Sequence, residues 1–186
     1  MKKFILAISL VLLYNCGFYS LKGSLPAHIK SISISPVVNE SPEFGVSENV
    51  GEQISEMLIS ENVLSVTNED VADSRLNVTI KSVLDKPYTY SAGDTYEQVE
   101  EWRITLKAKV VWYDLTKDEA FFDKTISSWG AYGTGVDIST DNIDNDGDGL
   151  VDSDDDDEFG SPRESALEVA IRKLSEDIIN EITSTW

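Results

Sequence analysis

The residues best placed to do chemistry are the aspartates of one short stretch. Residues 144–155 read Asp-Asn-Asp-Gly-Asp-Gly-Leu-Val-Asp-Ser-Asp-Asp. A loop that wraps a hard divalent cation offers oxygen ligands at alternate positions, with glycine at the sixth for the sharp turn. Asp144, Asp146 and Asp148 take the first, third and fifth positions and Gly149 the sixth. The backbone carbonyl of Leu150, Asp152 and Asp155 then fall where the remaining ligands are needed. Asp155 is shorter than the glutamate that closes an EF-hand, and Asp154, Asp156 and Asp157 stand beside it as alternatives. The spacing predicts a calcium site that orders an insertion and takes no part in catalysis. Read only as a charge run, the same stretch is a solvated acidic loop.

A second reactive residue is Cys16, the only cysteine. It follows Lys2-Lys3, the apolar run from Phe4 to Leu13, and Tyr14-Asn15. Two lysines and about ten apolar residues make a secretory signal too short to span a bilayer. A cysteine at the expected cleavage site predicts removal of residues 1–15 and attachment of a diacylglycerol or acyl (palmitate) lipid to Cys16. Asn15 departs from the small residue that usually precedes such a cysteine. The alternative is an ordinary exported chain with an unpaired thiol.

A third group is cationic. In residues 102–113 the apolar positions Trp102, Ile104, Leu106, Ala108, Val110 and Trp112 alternate with Arg103, Thr105, Lys107 and Lys109. On a strand these lie on opposite faces. Arg103, Lys107 and Lys109, joined by Lys81 from a neighbouring strand, could meet phosphates. The plain alternative is the solvent side of a half-buried sheet. His28 has no second histidine to join and reads as a surface residue. No serine sits in an elbow motif, and acylation would remove the only thiol nucleophile, so an enzyme is not expected.

The chain has 186 residues and a formal charge of -19. Residues 137–158 hold eleven acidic side chains and no Lys or Arg. Without that stretch and the two signal lysines, 23 acidic face 13 basic residues, a balance that disfavours nucleic acid.

The elements that must position these groups are legible. Ile29–Ile34 alternates and stops before Pro36; Val63–Val66, Leu76–Ile80, residues 102–113 and about 120–130 also read as strands. The last two form a hairpin about Thr116-Lys117-Asp118. Residues 47–60 form a helix with Ser47 as N-cap, while residues 85–101, with Tyr88, Tyr90 and Tyr96, read as a loop suited to an interface. Ser161-Pro162-Arg163-Glu164 opens a final helix over 162–183 with an apolar stripe from Leu167 to Ile182. The order β-α-β-β-β-β-α implies a two-layer α+β sandwich, a mixed or antiparallel sheet of four or five strands under two helices. Residues 16–28 are the anchor and linker, 29–186 the domain, and 137–160 its acidic insert.

The insert resembles the aspartate-rich calcium loops of thrombospondin type 3 and dockerin repeats. The rest is similar to the LPS-assembly lipoprotein family LptE. The resemblance rests on Cys16-Gly17-Phe18-Tyr19 with Leu21 and Gly23, on Leu25-Pro26 and Ile29–Ile34, and on Asn39-Glu40-Ser41. Ala72-Asp73 before Leu76, the final helix and Trp186 extend it. It implies a lipoprotein held at the periplasmic side of the outer membrane. There it would plug and help assemble the β-barrel LptD while lipopolysaccharide passes to the outer leaflet. The competing reading is a calcium-dependent adhesion or binding lipoprotein.

Overall fold

The computed structural model describes residues 25–92, 97–133, 149–151 and 161–184. Its strands are β1 (Ser31–Ile34), a two-residue β2 (Val38–Asn39), β3 (Ser65–Val66), β4 (Ser74–Ala92), β5 (Glu97–Asp114) and β6 (Glu119–Gly133). Helices α1 (Val46–Ser60) and α2 (Pro162–Ser184) complete an α+β arrangement. The sheet runs β3-β1-β4-β5-β6, with β2 beside β4. β1 is parallel to β3 and β4, β2 is parallel to β4, and β4–β5–β6 form an antiparallel meander. This is the expected order with β2 added.

One face of the sheet is closed by the helices. Ile104, Leu106, Ala108, Val110 and Trp112 of β5 are fully buried. The last four join Val50, Ile54 and Leu58 of α1 and Leu174, Ile178 and Ile182 of α2 in one core. Trp102, expected on the same apolar face, is only partly buried and stacks on Tyr132 with 6.4 Å between ring centroids. It lies beyond the stretch of β5 that is sealed under the helices. α2 approaches β6 so closely that a Cβ on Gly130 would stand 1.9 Å from the Ala166 carbonyl oxygen. Only glycine permits that approach. Beside it, the Ser128 hydroxyl donates to the Ala170 carbonyl at 2.5 Å.

The two helix starts differ. At α2 the capping box forms, with Ser161 N–H donating to Glu164 Oε2 at 3.1 Å and Glu164 N–H to Ser161 Oγ at 3.4 Å. At α1 the expected Ser47 cap is displaced. The helix begins one residue earlier, the cap is Gly45 with φ 77°, and the Ser47 hydroxyl donates to Glu48 at 2.8 Å.

Most of the expected loop at 85–101 is strand instead: β4 continues to Ala92 and β5 starts at Glu97. Pro87 does not stop β4 because β1 and β2 have already ended, the last pairing being Asn39 with Ile80. From there β4 is an edge strand, where a missing N–H is tolerated. The register also slips between Pro87 and Thr89 and again between Thr89 and Tyr90. Tyr96 lies outside the described residues. No helix among the described residues is long and apolar enough to cross a membrane.

Candidate functional site: the open face of the sheet

No described element covers the face of β4–β5–β6 away from the helices, and cross-strand register assembles it in rows. Arg103 pairs with Lys86 and Ala131, Thr105 with Leu84 and Trp129, Lys107 with Ser82 and Ser127, and Lys109 with Thr79 and Thr125. Lys81 sits at the irregularity between Ile80 and Ser82, beside the Lys107 row. The four expected cations therefore do come together on one side of the sheet.

Their states are not equivalent. Lys81 Nζ donates to both carboxylate oxygens of Glu40 at 2.8 and 2.9 Å, and Lys109 pairs with Asp123 at 3.0 Å. Such exposed pairs are weak and exchangeable. Lys107 is exposed and makes no ion pair among the described residues. Arg103 is wedged between rings: its guanidinium carbon lies 3.3 Å from the centroid of Tyr88 and 3.8 Å from that of Trp129. Its Nε is buried without an acceptor among the described residues, and Glu101 stands 3.7 Å from the guanidinium. Lys173 of α2 reaches Trp129 from the sheet edge, 5.1 Å from the ring.

Tyr88 and Trp129 are the partners of Arg103 that sequence reasoning missed. Trp129 carried a signal, since it faces the cationic side of β5 once the hairpin register is fixed at Thr116–Asp118. Tyr88 reads as an interface tyrosine but carried no signal of Arg103, because the register slip beside it decides where its ring goes.

At the opposite end of the sheet the chain emerging from the linker is tied down. His28, expected at the surface, is partly buried, and its Nε2 lies 2.6 Å from Oδ2 of the fully buried Asp114. Burial raises the Asp114 pKa, but His28 and the backbone N–H groups of Lys117 and Thr116 outweigh it and hold the carboxyl below its usual range. Asp73 accepts from the Lys30 and Ser31 N–H groups at 2.9 and 3.0 Å and from the Ser31 hydroxyl at 2.8 Å, so its pKa is lowered too.

A third cluster joins both helix starts to the sheet. Arg163 binds Glu43 through two nitrogens at 3.0 and 2.7 Å and Asp85 through Nε at 3.0 Å, while the Tyr132 hydroxyl donates to Asp85. The hydrogen bond from Arg163 lowers the Glu43 pKa, and burial, seconded by Asp85, pushes the Tyr132 phenol up to about 12. Every member is engaged within the fold, which marks a structural tie.

A groove of about 570 Å³ between the end of β1, residues 66–68 and α1 is lined by Ile34, Pro36, Val37, Gly51 and Thr67, with Glu48 as its charge. It has no cation to receive an anion. Cys16 and the expected calcium ligands Asp144, Asp146, Asp148, Asp152 and Asp155 lie outside the described residues. Of that loop, Gly149 has φ 97°, the left-handed conformation a sixth-position glycine supplies, and Leu150 is exposed.

Comparison with known proteins matches residues 29–184 to the family model described as LptE, lipopolysaccharide-assembly. No curated protein sequence matches. Among solved structures, protein XCC0632 from Xanthomonas campestris aligns with a TM-score of 0.52 at 9% identity, over 86% of this chain and 89% of that one. The hypothetical protein CT253 from Chlamydia trachomatis aligns at 0.51 and 11% identity, over 83% and 98%. The rare lipoprotein B from Shewanella oneidensis aligns at 0.44 and 15% identity, over 82% and 90%. At these identities the likeness is one of fold.

Proposed function

The chain belongs to the LptE lipopolysaccharide-assembly family, a family of non-enzymatic envelope lipoproteins, and from that premise we propose its finer role. It partners an LptD-type β-barrel as plug and assembly factor, helping lipopolysaccharide reach the outer leaflet. The observation that carries this is the extent of the family match, which takes in every described strand and helix.

The signal and Cys16 support a lipid anchor on the periplasmic side of the outer membrane. His28–Asp114 and Asp73 support it mechanically, since they fix the chain where the linker enters the domain. Lipopolysaccharide contact falls to the open face. Lys107 offers an unpaired amine to a lipid A phosphate, and Lys81 and Lys109 can exchange their carboxylates for one. Arg103 adds positive potential from between its rings.

Calcium at Asp144, Asp146, Asp148, Leu150, Asp152 and Asp155 would order the insert; the donor set is all oxygen, as the ion prefers. Protease sensitivity of residues 141–157 that is the same with and without calcium would refute that site. Replacing Cys16 with Ala should release the protein from membranes, and persistent anchoring would refute lipidation. The central test is recovery in mild detergent from the native envelope. A large β-barrel should accompany the protein, and its absence would sink the partnership.

A further inference from the structure

We infer that the end of the open sheet face formed by Leu84, Tyr88, Arg103 and Trp129 is the surface that seats against the polar inner wall of the barrel partner. The inference rests on the partnership proposed above. It separates two uses of one face: lysines for the anionic ligand, the aromatic end for the protein.

Composition supports the assignment. Leu84, Tyr88 and Trp129 are 44%, 53% and 43% exposed. Large apolar side chains held together in the open on a small domain mark a contact surface. Trp, Tyr and Arg are also the residues that dominate binding hot spots. Stacking adds to this. With both π-faces of its guanidinium covered, Arg103 is held in place before any partner arrives, so little side-chain freedom is lost on docking.

Charge identifies the occupant. Lys86 stands across from Arg103, Lys173 covers the edge of Trp129, and neither makes an ion pair among the described residues. Among the described residues Glu101 is the one carboxylate within ion-pair reach of Arg103, at 3.7 Å. A complementary surface is therefore polar and carboxylate-bearing. The interior of a transmembrane barrel is polar, unlike its lipid-facing exterior. Location agrees as well. Arg103 lies eleven residues along β5 from Asp114, where the linker is tied, which is roughly 35 Å of strand. A domain anchored through Cys16 would carry this patch at the end remote from its anchor.

The test measures two bindings for each variant: barrel recovered with the full lipidated protein, and lipopolysaccharide bound by the purified protein. Tyr88→Ala with Trp129→Ala should lower barrel recovery at least tenfold and leave lipopolysaccharide binding within about twofold. Trp129→Phe should restore most of the barrel. Leu84→Glu gives the same reading by a single exposed change if the double variant fails to fold. If wild type brings down the barrel and the variants do so equally, the inference is overturned while the partnership stands. If the variants lose lipopolysaccharide and keep the barrel, the patch is a ligand surface and the inference again fails. If wild type itself recovers no barrel, the partnership fails first.

Discussion

The two faces of this sheet obey different rules. The covered face is apolar and sealed: β5 presents five fully buried side chains from Ile104 to Trp112 to the helices. The open face alternates lysine, arginine and threonine with exposed aromatics, and its side chains are held by one another. α1 carries Glu48, Glu52 and Glu56 with no Lys or Arg, whereas Lys81, Lys86, Arg103, Lys107 and Lys109 gather on or beside the open face. Five cations thus gather on a sheet surface that neither described helix covers. On the proposed reading stability belongs to one face and recognition to the other, so substitutions on the two faces should separate cleanly in effect.

The largest effect should come from Gly130→Ala. The added methyl meets the backbone of Ala166, not the end of a flexible side chain, so α2 must move away from β6. Thermal unfolding should show a loss of at least about 3 kcal/mol, in the range of overpacked or cavity-bearing cores. Ile178→Ala, a fully buried truncation, should cost about 2–5 kcal/mol. A Gly130→Ala variant as stable as wild type would break the contrast at its strongest point.

Next comes the tie between helix starts and sheet. Arg163→Ala leaves Glu43 and Asp85 without their shared partner, but both carboxylates are partly exposed and water replaces part of what is lost. The expected cost is roughly 1–2 kcal/mol by chemical denaturation. Protection of the α2 N-terminal amides in hydrogen exchange should fall more than that of the α2 C-terminal half. Uniform loss along α2 would mean that the tie is not local.

Acid should act on the covered side and its margins. Asp73, Asp114 and Glu43 all have lowered pKa values in the fold. Each contributes stability that is complete above its ordinary pKa near 4 and is lost as pH falls through the lowered value. Tm should therefore be flat from about pH 5 to 7 and drop below about pH 4. Asp73→Asn should reduce that drop by removing one of the three groups. A Tm that rises on acidification would contradict the assignment.

How much of this could be read from the chain follows the range of the interactions. The α2 capping box spans Ser161 to Glu164, so it was visible; so was the alternation of β5, since both depend on neighbours a few residues apart. The β5–β6 hairpin was visible through its turn. The His28–Asp114 pair joins residues 86 apart and the Arg163–Glu43 pair 120 apart, and no local pattern encodes them. The stretch 85–101 misled for a physical reason. Pro87 and a cluster of polar and aromatic residues suit a loop, but an edge strand accepts proline once its outer neighbours have ended. The same register slips that let β4 continue carry Tyr88 onto Arg103. The cationic face and an interface role for Tyr88 are therefore legible in the sequence, whereas the stacking of Tyr88 and Trp129 on Arg103 is not.

The smallest stability effects belong to the open face, and they sharpen the comparison most. Lys107→Ala should leave stability within about 0.5 kcal/mol, because the amine has no ion-pair partner among the described residues. Arg103→Ala should cost about 1 kcal/mol, the worth of cation–π contacts that are only partly exposed. Both changes are near silent in a melting curve, yet they should diverge in binding. Lys107→Ala should weaken lipopolysaccharide binding in a salt-dependent way, as an exposed amine must. Arg103→Ala should instead free the rings of Tyr88 and Trp129, seen as altered tryptophan fluorescence, and reduce barrel recovery. If both substitutions shifted the same readout equally, the open face would be one electrostatic surface. A split would establish that its lysines and its aromatic end answer to different partners.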